Sequence, residues 1–206
     1  MKRFNLCIAI FGFLLCMIGT SEASSLSYSF TLGAGETFRG TSRTLDLGSG
    51  RTVTVSATWY SANLGASGDG DIWQTSSGFG VFHTYNNGDD PNIDGLGPDE
   101  TLWLTFNQQV TLTDIAFNFA HSTDQFDFFV GDTLVLSNQE TQPGPWRSLG
   151  TDGYTGTVFG IRANDHTDDF YVAAIQYNPV PEPGTLILVG SGLLGIVGLG
   201  RRKRGA

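Results

Sequence analysis

The sequence predicts an all-β fold, an antiparallel β-sandwich of jelly-roll-like architecture, and three observations carry the prediction. Apolar residues alternate with polar ones at period two through most of residues 24–178, which puts alternate side chains on one face of a sheet. Glycine, Asn-Gly and Asp-Gly pairs punctuate these runs. No stretch carries a 3.6-residue apolar stripe, so helices are not expected between the two ends of the chain.

In chain order, Leu26, Tyr28, Phe30 and Leu32 alternate with polar residues, as do Val53, Val55, Ala57 and Trp59. Gly80 to Tyr85 reads as a strand. Three short strands are then expected in series: Leu102, Leu104 and Phe106; Val110 and Leu112; Ile115, Phe117 and Phe119. Gln125 to Val130, Thr133 to Leu136, Gly156 to Ile161 and Phe170 to Tyr177 complete the set. Turns fall at Asn87-Gly88, Asp94-Gly95 and Asp152-Gly153, and Asp69-Gly70-Asp71 reads as another. Nine or ten short strands in about 155 residues suit one sandwich domain with a sizeable core. A membrane-spanning β-barrel would need longer strands and a lipid-facing aromatic girdle. No internal repeat points to a solenoid or propeller.

Both ends differ from this body. Met1-Lys2-Arg3 is a basic start, Leu6 to Ile18 is apolar, and Ser21-Glu22-Ala23 offers small residues where a signal peptidase reads. Residues 1–23 are therefore expected to be a signal peptide cleaved after Ala23; a retained anchor needs a longer apolar stretch. At the other end, residues 179–206 hold Val180-Pro181-Glu182-Pro183-Gly184, an uncharged run from Thr185 to Gly200, and Arg201-Arg202-Lys203-Arg204. Pro181 and Pro183 fix φ and hold the chain extended, so a helix cannot begin before Gly184. Sixteen helical residues reach only roughly 24 Å against a hydrocarbon core of ~30 Å, a thin transmembrane helix that suits removal. The basic cluster holds its end in the cytoplasm and leaves the body outside.

The tripeptide, greasy run and basic stop, in that order, resemble the PEP-CTERM sorting domain of Gram-negative, exopolysaccharide-producing bacteria, with Pro181, Glu182 and Pro183 as its signature. The resemblance covers about 27 residues. It implies recognition by an exosortase, a membrane cysteine protease or transpeptidase, and delivery of the mature protein to the cell surface or extracellular matrix. A tail anchor with an accidental Pro-Glu-Pro is the plainer alternative.

Composition narrows the function further. Cys7 and Cys16 both lie in the leader, so the body has no disulfide and no thiol nucleophile. Between Ser24 and Asn178 there are five arginines, no lysine and eighteen acidic residues, a net charge of −13. Nucleic acid is excluded as a partner, because phosphate binding needs clustered positive charge. An anionic polymer would be repelled unless cations bridge the two.

Gly78-Phe79-Gly80-Val81, then Asn92 to Glu100 and the strand Thr101 to Phe106, are similar to the body of many PEP-CTERM-tailed sandwich proteins, whose fold is carbohydrate-binding-module-like. That likeness implies a fold and no activity. Within it, Asp90, Asn92, Asp94 and Gly95 match the opening of an EF-hand calcium loop. The match then breaks, with Glu100 one position early, Pro91 and Pro98 in the loop, and no flanking helix. Sandwich domains also staple loops with carboxylates at strand ends, and Asp168 and Asp169 precede the last strand. A structural calcium site drawing on Asp90, Asn92, Asp94, Glu100 and Asp169 is therefore expected. The competing account is that these residues only form solvated turns.

Catalysis is not expected. His83, His121 and His166 lack HExxH spacing, no G-x-S-x-G is present, and no carboxylate pair is singled out. Trp73, Trp103 and Trp146 are candidates for stacking on sugar rings. Trp103 should face away from Leu102 and Leu104, while Trp73 and Trp146 fall in turn-rich stretches; filling and covering the sandwich is the plainer role. The sequence thus points to an exported structural or adhesive matrix protein. A module binding the matrix polysaccharide and a secreted hydrolase are the alternatives.

Overall fold

The computed structural model describes residues 25–63, 65–83, 90–141, 146–181, 190 and 192. Among the described residues the body, 25–181, is all-β and antiparallel. Its strands are β1 (Leu26–Ser29), β2 (Phe38–Gly40), β3 (Ser42–Gly48), β4 (Arg51–Ser61), β5 (Ala66–Thr75), β6 (Gly78–Phe82), β7 (Ile93–Asp94), β8 (Asp99–Asn118), β9 (Gln125–Val130), β10 (Thr133–Glu140), β11 (Arg147–Ser148), β12 (Tyr154–Ala163) and β13 (Asp169–Pro179). All join one network in the order β1-β13-β6-β5-β4-β8-β12-β9-β10, with β2, β3, β7 and β11 attached at its margins.

Strand β8 organises the molecule. Its first half pairs with β4 on one side and β12 on the other, so that Val55, Leu104 and Phe159 share a row. Its second half pairs with β13 and β11. The three short strands expected here are one strand of 20 residues. The inward positions run Leu102, Leu104, Phe106, Val110 and Leu112, then shift by one to Ile115 and Phe117. The shift has a visible cause: Gln176 pairs with Asp114 and Tyr177 with Leu112, leaving Thr113 as an extra residue in a β-bulge. A bulge of this kind bends the strand, and the matching shift on β13 falls between Val172 and Ala174.

The core is aromatic. Phe106 meets Phe159 edge-on at 5.8 Å, Phe159 stacks on Phe128 at 5.9 Å, and Phe117 touches Phe126 at 4.9 Å and Phe170 at 5.1 Å. Phe79, Phe126, Phe128, Phe159 and Phe170 are completely buried. Each such ring contributes about 2–3 kcal/mol of transfer free energy.

Three expectations are corrected. Phe119 is not on the core face: β8 ends at Asn118, and Phe119 has φ 59° and is 72% exposed. Asp69-Gly70-Asp71 is not a turn but the middle of β5, where Asp69 and Gly70 pair with Thr58 and Ala57 and Asp71 pairs with Phe82. Trp73 likewise lies inside β5 rather than in a turn-rich exposed stretch, opposite Arg39 and Gly80. Alternation is hard to see in β5 because four of its first six residues are glycine or aspartate.

The leader with its expected cleavage at Ala23 lies outside the described residues, as do Glu182, Pro183, Gly184 and the basic stop Arg201, Arg202, Lys203 and Arg204. The expected C-terminal helix also lies outside them, apart from Gly190 and Gly192. Among the described residues no helix is long and apolar enough to cross a membrane.

Candidate functional site

Two chain segments that are distant in sequence meet at one corner of the body. Asp94 of β7 pairs with Asp169 of β13, and Ile93 with Phe170. Asp169 therefore does reach the acidic loop, and the Asn92 amide donates to its Oδ2 at 3.4 Å. Gly95 is required here for packing: a β-carbon on it would stand 2.2 Å from the Asp165 carbonyl oxygen, in the loop before β13.

The five residues expected to hold calcium divide into two groups. Glu100 is completely buried, and its Oε2 accepts the Asp94 backbone N–H at 3.1 Å while Oε1 lies 3.9 Å from His83 Nε2. Asp94 is buried too, with Oδ1 accepting the Leu96 N–H at 2.9 Å. These two carboxylates organise the loop from within. Asn92 and Asp169 instead contact each other, with the Asp169 side chain half-exposed, and Asp90 is exposed near Tyr171. Burial, followed by the charges of Asp90 and Asp169, raises the Tyr171 phenol above its ordinary value.

Beside Asp169 stand two residues the sequence did not single out. His121 Nδ1 is 3.3 Å from Asp169 Oδ1 and 3.6 Å from Asp124 Oδ2. The turn from His121 to Asp124 is closed by the Asp124 N–H donating to the His121 carbonyl, and Asp124 Oδ2 in turn accepts the His121 N–H. Asp124 is only 2% exposed. Its burial raises the carboxyl above the usual range, the His121 N–H opposes that, and the Asp169 charge adds to it. The available signal was a His and an Asp three apart just before a strand, which is weak without knowing that Asp169 lies opposite.

Asp168 has a different role. Its Oδ1 accepts the Gln125 N–H at 2.8 Å, and its Oδ2 accepts those of Asn164 and Asp165 at 3.1 and 2.8 Å. It clamps the loop before β13 to the start of β9.

The three candidate tryptophans have separate surroundings. Trp103 lies on the outer face as expected, half-buried, with Nε1 donating to Thr58 Oγ1 at 2.8 Å and Phe129 at 6.1 Å. Arg162 covers the Phe129 ring at 5.0 Å and pairs with Asp127 at 2.6 Å. Trp73 is half-buried beside Phe82, with Arg39 over both rings. Trp146 is exposed, just before β11.

The folded body leads directly into the proline motif. Strand β13 continues through Pro179, the Val180 N–H donates to the Gln109 carbonyl at 3.2 Å, and Pro181 is exposed. Residues 179–204 match the description of a PEP-CTERM protein-sorting motif. Comparison of the chain with curated proteins and with solved structures finds no match. The chain therefore carries a PEP-CTERM sorting domain, the recognition signal of an exosortase, which marks it for export with the signal anchored in the membrane before processing.

Proposed function

We propose that the body is a structural or adhesive component of the cell surface or of an exopolysaccharide-rich extracellular matrix, without catalytic activity of its own. The observation that carries this reading is the sorting motif joined, at Val180, to an acidic all-β domain. A sandwich-like layering of that domain is supported by the contact of Phe117 on β8 with Phe126 on β9, strands that share no ladder. A rigid sheet domain held on a removable anchor suits deposition at a surface. The carboxyl of Glu100 has no solvent exposure, which gives no support to a hydrolase that would use it.

The test is the mature protein from its native host. Mass spectrometry should find a product lacking the basic stop, and a Glu182→Ala variant should stay in the membrane at full length. Wild-type protein found intact through Ala206 in the exported fraction would sink the proposal.

A second reading, binding of the matrix polysaccharide, is favoured by one arrangement. Trp103, Phe129 and the Arg162–Asp127 pair lie along neighbouring positions of β8, β12 and β9, combining flat rings with polar groups as sugar sites do. Retention on the producer's own polysaccharide, lost in a Trp103→Ala variant that still folds, would favour it over a purely structural role.

A further inference from the structure

We propose that His121, Asp124 and Asp169, with Asn92 beside them, form a site for a divalent transition cation of the zinc or manganese class. One ligand atom from each of the first three lies within 4.8 Å of the others, from a turn and from a strand 45 residues further on. A coordination sphere of about 2.0–2.5 Å radius places its ligand atoms within about 5 Å of one another, so one ion can touch all three.

Charge argues the same way. Asp124 is almost wholly buried, and Asp168 and Asp169 add negative charge around it. Among the described residues no arginine pairs with either ligand aspartate; Arg39 goes to Asp71 and Arg162 to Asp127. A cation between Asp124 and Asp169 would relieve that repulsion. An independent observation lies on the acidic loop. Asn92 Oδ1 is buried and accepts no hydrogen bond among the described residues, while the other end of the same amide contacts Asp169. The two ends of an amide exchange by a simple rotation, which would bring the oxygen to the Asp169 side as a fourth ligand.

The donor set selects the metal. An imidazole nitrogen with two carboxylates suits zinc or manganese, whereas calcium takes oxygen ligands alone. The site thus departs from the all-oxygen set expected from the sequence. Glu100 Oε2 and Asp94 Oδ1 hold backbone N–H groups of their own loop; of that set Asp169 meets His121, and Asn92 reaches the site through Asp169.

The test is calorimetric titration of the full chain in detergent, stripped with chelator, with zinc and separately with calcium. Cys7→Ser and Cys16→Ser are included throughout so that neither thiol competes. His121→Ala and Asp169→Asn change exposed or half-exposed side chains and should leave the fold intact, and Asp69→Asn serves as a surface control. The expected result is one zinc per chain, bound more tightly than calcium, with about a tenfold or greater loss in both site variants and none in the control. Zinc should also raise the thermal midpoint of the parent chain and not that of His121→Ala. No saturable zinc binding, calcium preferred over zinc, or unchanged affinity in His121→Ala would each overturn the proposal.

Discussion

Gly160 lies directly beneath the indole of Trp103, its register partner across β12 and β8: a β-carbon on Gly160 would stand 2.6 Å from the ring. Trp59 covers its own partner, Gly68, in the same way, at 3.0 Å. In each pair the glycine leaves a gap that the aromatic ring fills, so the missing side chain costs the sheet less than it would alone. Gly160→Ala should push Trp103 away from Thr58, break the 2.8 Å bond to its hydroxyl, and destabilise the body by about 1–3 kcal/mol. Denaturant unfolding measures the loss, and tryptophan emission should move to the red as the ring becomes more exposed.

Phe119 offers the opposite case. It holds a left-handed backbone, φ 59°, with its ring 72% exposed and touching only Tyr171 among aromatic residues described. Phe119→Gly removes a conformational cost of about 1 kcal/mol or more and gives up little buried area, although glycine adds freedom to the unfolded chain. The variant should be at least as stable as the parent. A fall in melting midpoint of several degrees would show that the Tyr171 contact outweighs the strain.

Arg162 supports a buried charge. Asp127 is 3% exposed and accepts from Ser137 Oγ, the Asn138 N–H and Arg162 Nη2. Arg162→Ala leaves that carboxylate with two neutral donors and no counter-charge, so a loss of about 2 kcal/mol or more is expected in chemical denaturation. Asp127→Asn in the same background should recover part of it.

Stability should fall as pH rises from acid toward neutrality. Burial raises the carboxyls of Asp99, Asp124 and Asp168 above 3.8, against smaller opposing effects from Arg162 at Asp99 and from backbone N–H donors at the other two. A raised carboxyl binds its proton more readily in the folded state. Its contribution is therefore present at low pH and lost as pH climbs from 3.8 through the raised values. Asp165, held lower by Thr167, acts in the opposite sense but is fully exposed. Repulsion within a body of net charge −13 adds to the loss. Thermal midpoints measured from about pH 4 to 7 should decline, and Asp99→Asn should flatten the decline.

Strands with a clean alternation were legible in the sequence: Gln125–Val130 is β9 residue for residue, and Val53, Val55 and Ala57 are buried as their spacing requires. Strands without it were not. Ala66–Thr75 hid behind glycines and aspartates, and β7 and β11 are two residues each, too short for any period to register. At the candidate site, the approach of Asp169 to the acidic loop was foreseeable because Asp168 and Asp169 precede the last strand and the loop's Glu100 stands where another begins. The partnership of His121 and Asp124 with Asp169 was not, since nothing local to His121 indicates what faces it.

By itself, then, the sequence determined the β class, the acid surface, the cysteine-free body and the sorting motif, because each is a matter of local composition or spacing. The tertiary structure alone decided that three apolar runs are one bent strand, that Glu100 is buried while Asp169 is half-exposed, and which glycines Trp59 and Trp103 cover. Those outcomes depend on register between segments tens of residues apart. The bulge at Thr113 shifts the inward set from Leu112 to Ile115, and period-two alternation shows that change of phase without telling a bulge inside one strand from a break between two.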